Sequence, residues 1–519
     1  MSSARLGDRG AARLAPFGVG LAAACLGVFL GALDQTVVAT LLPPIVQELQ
    51  IPFTRLHDAA WIVTGYLLGY TVALPVVGRL ADLRGRRRVF AACMVLFVLA
   101  SVACGAAASL EWLIAARALQ AAGGGALLPI ALALAGDLPD DGRRNVALGL
   151  VAALAEAGGV LGPLYGALFV EWLDWRWVFY LNLPLGLAIL VLVLRFTTAE
   201  VPSPRLAPPD LAPSVAPGAV PNGSSNLSFD LPGALLLAAG LAALTLALSR
   251  EGAPDRPAWL TGALLLAAVA LLAVFVAVER RAMAPLIDLE LFRPPPFAAA
   301  QATSLLVGAA LIVAMVDLPL WSATVLGRSA ADGGLLLLRL TLPIPLGAVL
   351  GGLGTRWRGP RAVAVVGLLA VPASFALVAG WPADVPDGRM ARDLALGGLG
   401  FGLLLAPLAA AAIGWAGSAR AGVAASLVVL TRMIGMMVGL SALTSYGLGR
   451  FNALVRELPL PLPRPAETAE ALARRQADYA QAVQSATVTV FHELFLAAAL
   501  VCLLALVPAL LLRLPPARR

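Results

Sequence analysis

Apolar residues along this chain come in blocks of about twenty, separated by short polar or proline-containing breaks. Twenty helical residues, each rising about 1.5 Å, cross a hydrocarbon core of about 30 Å. Strand-like alternation of apolar and polar positions is absent. In lipid, each backbone group must find its partner within its own segment. The pattern therefore predicts an all-α, polytopic membrane protein with about fourteen transmembrane helices, over 15–43, 57–78, 89–108, 111–136, 145–170, 176–195, 231–249, 259–278, 297–322, 331–353, 361–381, 393–415, 420–449 and 486–512.

Composition agrees. Of 519 residues, 60% are hydrophobic and 13% charged, with a mean hydropathy of +0.88. A soluble chain carries about 25% charged residues. Every basic residue is an arginine, and the absence of lysine excludes a Walker A phosphate loop. Cys25, Cys93, Cys104 and Cys502 lie in apolar blocks at no metal or redox spacing, and read as small apolar side chains. His57 and His492 lie at opposite ends of the chain, so no metal or cofactor is expected. Arg5, Arg9 and Arg13 precede an apolar run in which Ala22-Ala23-Ala24-Cys25 resembles a lipoprotein cleavage site. The run continues through Leu33 without a polar tether, and reads as a retained first span.

The arginines set the orientation. With the N-terminus inside, the segments facing the cytoplasm hold 22 arginines and the outer ones 11, five of those in one loop. That asymmetry predicts a multi-pass protein with both termini cytoplasmic. The net charge of +7 is a topology signal, and no nucleic-acid partner is expected.

Residues 197–230 are rich in proline, serine and glycine and read as a cytoplasmic linker. They separate a six-helix bundle over 1–196 from an inserted helix pair with its loops over 231–296 and a second six-helix bundle over 297–519. Neither polar insertion can hold a nucleotide-hydrolysing domain, so active transport would draw on an ion gradient or a partner. The second insertion, at about 450–485, favours helix, with Glu470 and Arg474 paired at i,i+4. A helix from 467 to 512 would be roughly 69 Å long. Two readings stand: a solvated loop, or a rigid two-helix projection that docks a partner or shields an exit route.

Gly78–Arg88 follows the second span, and Gly352–Arg361 follows the tenth; both space glycines seven apart and end in arginine. This echo is consistent with two related bundles. The first loop resembles the signature loop of the major facilitator superfamily. Leu33–Val38, Arg117-Ala118-Leu119-Gln120 with Gly123–Gly125, Gly158–Gly166 and Trp175–Pro184 extend the resemblance to the fourteen-span drug:proton antiporter branch over essentially the whole chain. Trp61–Tyr70, Gly125–Ile130, Val316-Asp317 and Gly449–Asn452 resemble more narrowly the mycobacterial triacylglyceride exporters that work with a periplasmic lipoprotein. The resemblance implies a proton-coupled exporter of hydrophobic or amphiphilic cargo, a lipid or a drug, working by alternating access. In such antiporters Asp34 would match a proton carrier, tuned or relayed by Arg117.

Charges inside spans are costly, and by default functional. Glu156 lies twelve residues past Arg144, and Arg432 twelve past Arg420, each roughly 18 Å into an inside-to-outside span. Sharing a depth in opposite bundles, they are expected to pair, either as a switch between states or as a static packing contact. Asp317 and Arg339 flank one outer turn and form a candidate second ion pair, more structural than functional. Glu493 sits early in the last span, within reach of the outer interface. Gly158, Gly162 and Gly166 permit close helix approach, and Pro163 favours a bend. Asp82, with Gly78, Gly85 and Arg86, is a candidate latch at the inner gate. A scaffold or receptor recruiting an outer partner is the competing class, though it has little need of Asp34, Arg117, Glu156 and Arg432 in its spans. No nucleophile–base or metal constellation points to an enzyme.

Overall fold

The computed structural model describes residues 4–52, 56–136, 141–197, 231–248, 257–282, 285–382, 384–417, 420–463 and 468–515. From residue 198 to 230 the expected linker lies outside the described residues. Among those described there are helices and no strands. The first bundle comprises α1 (Ala4–Glu48), the short α2 (Leu56–Ala59), α3 (Trp61–Arg84), α4 (Arg86–Gly105), α5 (Leu110–Gly124), α6 (Leu127–Gly136), α7 (Asp141–Trp172), α8 (Arg176–Tyr180) and α9 (Asn182–Phe196). Next come α10 (Leu231–Leu248) and α11 (Ala258–Glu279), packed on each other. The second bundle is α12 (Pro295–Thr324), α13 (Ala330–Thr341), α14 (Pro343–Val378), α15 (Asp387–Ala416), α16 (Ala421–Arg456), α17 (Ala469–Leu504) and α18 (Leu506–Ala509).

Among the described residues, twelve helices are long and apolar enough to cross a membrane. They differ from the fourteen expected blocks in two places. Pro232–Leu248 in α10 is apolar but shorter than the rest, and the 49-residue run Ala330–Val378 holds two blocks. That run reverses at Gly359, where φ is 79° and ψ 164°. A Cβ on Gly354 would meet Val363 at 2.9 Å, which a straight helix would not allow nine residues apart. The same stretch of α15 packs on both arms of α14, Gly402 near Gly347 and Gly400 near Val371. Gly85, between α3 and α4, reverses the chain in the same way at φ 92°. In each half of the Gly78/Gly352 echo, the second glycine occupies backbone space that a side chain would strain.

Glycine seams bind helices within each bundle. Gly158, Gly162 and Gly166 of α7 run along α1, where added Cβ atoms would lie 2.3 Å from the Phe29 carbonyl oxygen, 2.0 Å from Thr36 Oγ1 and 2.3 Å from Thr40 Oγ1. The second bundle repeats this between α12 and α16: a Cβ on Gly435 would sit 1.9 Å from the Leu305 oxygen, and one on Gly308 2.2 Å from the Arg432 oxygen. Lipid gives no hydrophobic drive to pair such helices, so close backbone approach supplies the packing.

The buried cores show how the bundles meet. One continuous core unites the second bundle with the half of the first that lies toward Leu41, Ile62 and Phe179. The half at the arginine-rich end, around Phe90, Phe97, Ile130 and Val193, forms a separate core. The bundles are thus joined at the far end and less so at the arginine-rich end. α10 contacts both α3 and α16 and covers that seam, while α11 exposes Trp259, Leu266 and Val269.

At the far end α16 and α17 extend beyond their neighbours. Gln484 donates to the Val325 oxygen at the end of α12 (3.3 Å), so the fifteen residues back to Ala469 reach roughly 22 Å further. Thr468 caps α17, Arg475 ties it to the Leu462 oxygen (3.1 Å), and Glu493 joins it to Arg450 (3.1 Å) and the Tyr446 hydroxyl (2.8 Å) of α16.

Candidate functional site

Two charge centres lie near the middle of the molecule. The first is sealed inside the first bundle, where Asp34 is 1% and Arg117 0% exposed. Arg117 Nη1 donates to Asp34 Oδ2 (2.6 Å) and to Gln120 Oε1 (2.7 Å), and Nη2 donates to the Asp34 carbonyl (3.2 Å). Gln120 and Asn182 each donate to Asp34 Oδ1, at 2.8 and 2.9 Å. Both also donate to Ser101 Oγ, which in turn donates to the Phe179 carbonyl (2.9 Å). The guanidinium carbon lies 4.0 Å from the centroid of the Tyr66 ring, a cation–π contact, and the Tyr66 hydroxyl donates to the Gly31 oxygen (3.3 Å). Five spans, α1, α3, α4, α5 and α9, therefore contribute to one polar knot, and two of them, α5 and α9, donate to the carboxylate of α1. Only Arg117 Nε and Asn182 Oδ1 in this knot lack a partner among the described residues.

The second centre lies between the bundles. Arg432 Nη2 of α16 donates to Glu156 Oε1 of α7 at 3.1 Å, with the side chains 17% and 34% exposed. Glu156 and Arg432, expected to share a depth in opposite bundles, are in direct contact. Beside them is a small cleft lined by Gln35, Thr36 and Tyr66 on one side and by Ile312, Met315 and Met436 on the other. Gln35 Nε2 crosses it to Met433 Sδ (3.0 Å), so the neighbours of Asp34 and Arg432 are in direct contact.

The far end of the cleft is closed by α7 against α13. Gly334 lies so near that an added Cβ would be 2.5 Å from Ala167 Cβ and 2.8 Å from the Pro163 oxygen. Thr341 donates to the Val160 oxygen (3.3 Å). Thus α7 faces two ways: Gly158, Gly162 and Gly166 meet α1, while Pro163 meets α13 across the bundle boundary.

Asp317 and Arg339 do not pair. They lie at similar distances from the α12–α13 turn, but Arg339 is directed toward the start of α15. There Asp387 accepts from Arg339 (3.3 Å) and Arg328 (2.8 Å), in a first helical turn that favours a carboxylate. Asp317 is half-buried and forms no ion pair or hydrogen bond among the described residues. At the arginine-rich end, Arg86 donates to the Ala133 oxygen (2.7 Å) and Arg87 to the Leu194 oxygen, fastening the α3–α4 turn to α6 and α9. Gly78 has only Pro129 within 4 Å of an added Cβ. The side chain of Asp82 lies outside the described residues.

Gln120, Asn182 and Ser101 were not singled out as site residues from sequence. Gln120 carried a signal, standing three residues after Arg117 on the same helical face. Asn182 lies inside the Trp175–Pro184 motif but was given no role, and Ser101 carried no signal, because both roles depend on α4 and α9 packing against α1.

A family profile described as the Major Facilitator Superfamily matches residues 24–440. A triacylglyceride transporter of Mycolicibacterium hassiacum is 38% identical over 461 residues, covering 86% of this chain and 82% of that protein. A triacylglyceride transporter of Mycobacterium tuberculosis is 37% identical over 517 residues, covering 95% and 94%. Among solved structures, a bacterial homologue of the human lysosomal transporter Spinster, inward-facing and occupied, has the same fold: TM-score 0.63 at 16% identity, over 96% of this chain and 98% of that one. With two helical bundles facing each other across a central cleft, and a match over most of its length, this chain belongs to the major facilitator superfamily.

Proposed function

We propose that this chain exports an apolar lipid, triacylglyceride foremost, in exchange for protons across a bacterial cytoplasmic membrane, with its arginine-rich end and both termini in the cytoplasm. The observation that carries the coupling is the Glu156–Arg432 pair, which joins the bundles at 3.1 Å beside a cleft whose walls are largely apolar. A proton on Glu156 cancels its charge and dissolves the pair, so the charged and neutral states favour different bundle arrangements. Glu156 is the more exposed of the two acids and receives the proton first. Asp34 is loaded only when the knot around Arg117 opens. The α7–α13 contact at Pro163 is the outer gate, with the Gly158, Gly162 and Gly166 seam on α1 as the surface on which α7 moves, and the Gly78–Arg86 turn with Asp82 is the inner gate.

Lipid cargo is supported by the names of the relatives and by the cleft lining. The projection of α16 and α17 suits delivery to an outer partner such as a periplasmic lipoprotein. Drug efflux is the nearest competing transport reading, and a non-transporting scaffold that recruits the partner is the other.

Proteoliposomes carrying a pH gradient, loaded with either labelled triacylglyceride or a cationic dye, test these readings. The expected result is gradient-driven movement of triacylglyceride that Glu156→Gln uncouples from the gradient. Movement of the dye alone would assign drug efflux. Movement of neither, with the outer lipoprotein supplied, would overturn transport in favour of the scaffold.

A further inference from the structure

Three polar residues line the cleft between the bundles, and two of them are already engaged with backbone oxygens. The Thr36 hydroxyl donates to the carbonyls of Ala32 and Leu33, each at 3.4 Å. The Tyr66 hydroxyl donates to the Gly31 oxygen. Gln35 differs: its Nε2 donates to the thioether of Met433, and its Oε1 has no partner among the described residues. Thioether sulfur is a weak acceptor. A half-buried amide facing apolar walls with no oxygen acceptor forgoes most of the stabilisation that a hydrogen bond supplies.

Such a group rewards a ligand that brings a carbonyl oxygen. Methionine, unbranched and with three rotatable bonds, can leave the amide at small cost and pack against an alkyl chain instead. Met315 and Met436, with Met433 buried beside Gln35, make this wall adaptable to chains of varied shape, and so unable to select for much beyond bulk. Selection then falls to the donor. An apolar pocket discriminates weakly between isosteres, whereas a buried hydrogen-bonding group rejects a ligand that leaves it unpaired.

We propose that Gln35 is the specificity-determining residue of the cleft, its amide donating to the carbonyl oxygen of a fatty-acyl ester in place of the Met433 sulfur. This rests on the lipid-export reading and names the part of the lipid that is recognised. The ester oxygen is held one residue from Asp34 and beside Met433, the neighbour of Arg432, so the cargo's polar part sits between the two charge centres.

The test is competition in one set of proteoliposomes between a triacylglycerol and the trialkyl ether of equal chain length, which lacks carbonyls. A ratio of rates does not depend on how much protein is folded. The wild-type chain is expected to favour the ester about fivefold, the value of one ordinary hydrogen bond. Gln35→Met is expected to bring the ratio to about one, and Met433→Leu, which frees the donor, to keep or raise it. An ester preference that survives Gln35→Met, or no preference in the wild type while both lipids move, overturns the proposal and leaves lipid export standing. Failure to move either lipid overturns the export reading, and this proposal with it. Movement of a diacyl phospholipid in preference to triacylglycerol, with the same loss in Gln35→Met, supports ester recognition and identifies the phospholipid as its source.

Discussion

The Asp34–Arg117 pair can be dissected by a double-mutant cycle of Asp34→Asn, Arg117→Met and both together. At 2.6 Å and an effective dielectric of about 20, the two charges attract by about 6 kcal/mol. Taking each ion out of water costs several kcal/mol, so the net contribution of the intact pair is far smaller than that figure. Its removal is not symmetric. Asp34→Asn strands a guanidinium that keeps Gln120 Oε1, a backbone oxygen and the Tyr66 and Phe179 rings but no counter-charge. Arg117→Met strands a carboxylate that keeps the Gln120 and Asn182 amides. Each single change is expected to cost about 3–5 kcal/mol, because it leaves one buried charge uncompensated. The double variant leaves no charge behind and should cost well under the sum, with a coupling of about 3 kcal/mol. Unfolding of the purified protein in detergent, followed by intrinsic fluorescence, measures all four corners. Costs that add to within about 0.5 kcal/mol would refute the view that the knot is one electrostatic unit.

The remaining predictions concern the bundle boundary and the backbone. Glu156→Gln keeps the shape of the side chain and removes the charge that holds Arg432, so lipid movement should lose its dependence on the pH gradient; an unchanged dependence would move the coupling elsewhere. Gly334→Leu drives a side chain into Ala167 and the Pro163 oxygen, where even a Cβ would lie at 2.5 and 2.8 Å, and should keep the far end from closing and slow export; export at the wild-type rate would show that this contact is not a gate. Gly435→Ala drives a methyl into the Leu305 carbonyl and should cost about 1–3 kcal/mol, like other overpacked helix contacts. Gly359→Ala meets no atom within 4 Å, but φ 79° with ψ 164° is a region essentially only glycine occupies, and it should cost about 1–3 kcal/mol from backbone strain alone. A cost below about 0.5 kcal/mol at 435 would refute the close α12–α16 seam, and one below about 0.5 kcal/mol at 359 the strained turn.

Much of this arrangement was legible in the chain itself. Block length predicted the helices, since lipid demands about twenty apolar residues per crossing and tolerates no irregular backbone against it. The Glu156–Arg432 contact followed from counting residues inward from two arginines, because helical rise converts sequence distance into depth. The same reasoning failed for Asp317 and Arg339. Depth is only one coordinate, and the direction in which a side chain leaves its helix is set by how α13 packs on α15. Asp387 was invisible as a partner because it stands at the start of α15, and nothing in the chain says that Arg339 faces that helix. Ser101 and Asn182 were hidden for a similar reason: a serine and an asparagine within apolar runs mean little until a carboxylate is placed between them. The break between α5 and α6 is another case. The glycines at 123–125 were noted as a motif, yet their bulk-free contacts with Phe97, Tyr66 and Tyr70 arise only from the packing of α4 and α3.

That packing bears on how the two charge centres are related. On the proposed reading a proton reaches the part-exposed Glu156 at the boundary between the bundles, whereas Asp34 is enclosed by α1, α4, α5 and α9. Between the centres stand two tyrosines of α3. Tyr66 lies against the Arg117 guanidinium, Tyr70 lies within electrostatic reach of Arg432 and Glu156, and their rings are 6.4 Å apart. Both also press on the glycine break, Tyr66 beside Gly124 and Tyr70 beside Gly125. On the proposed reading, a change of charge at Glu156 alters the field at Tyr70 directly and can disturb the Asp34 knot through α3, through the Gln35–Met433 contact or along the Gly158–Gly166 seam between α7 and α1. The first two routes separate experimentally. Tyr70→Phe removes a hydroxyl dipole and leaves the ring against Gly125, while Met433→Leu removes the sulfur contact and leaves α3 untouched. If α3 carries the signal, Tyr70→Phe should weaken the dependence of export on the pH gradient and Met433→Leu should not; the reverse pattern would place the coupling in α1 and α16 instead.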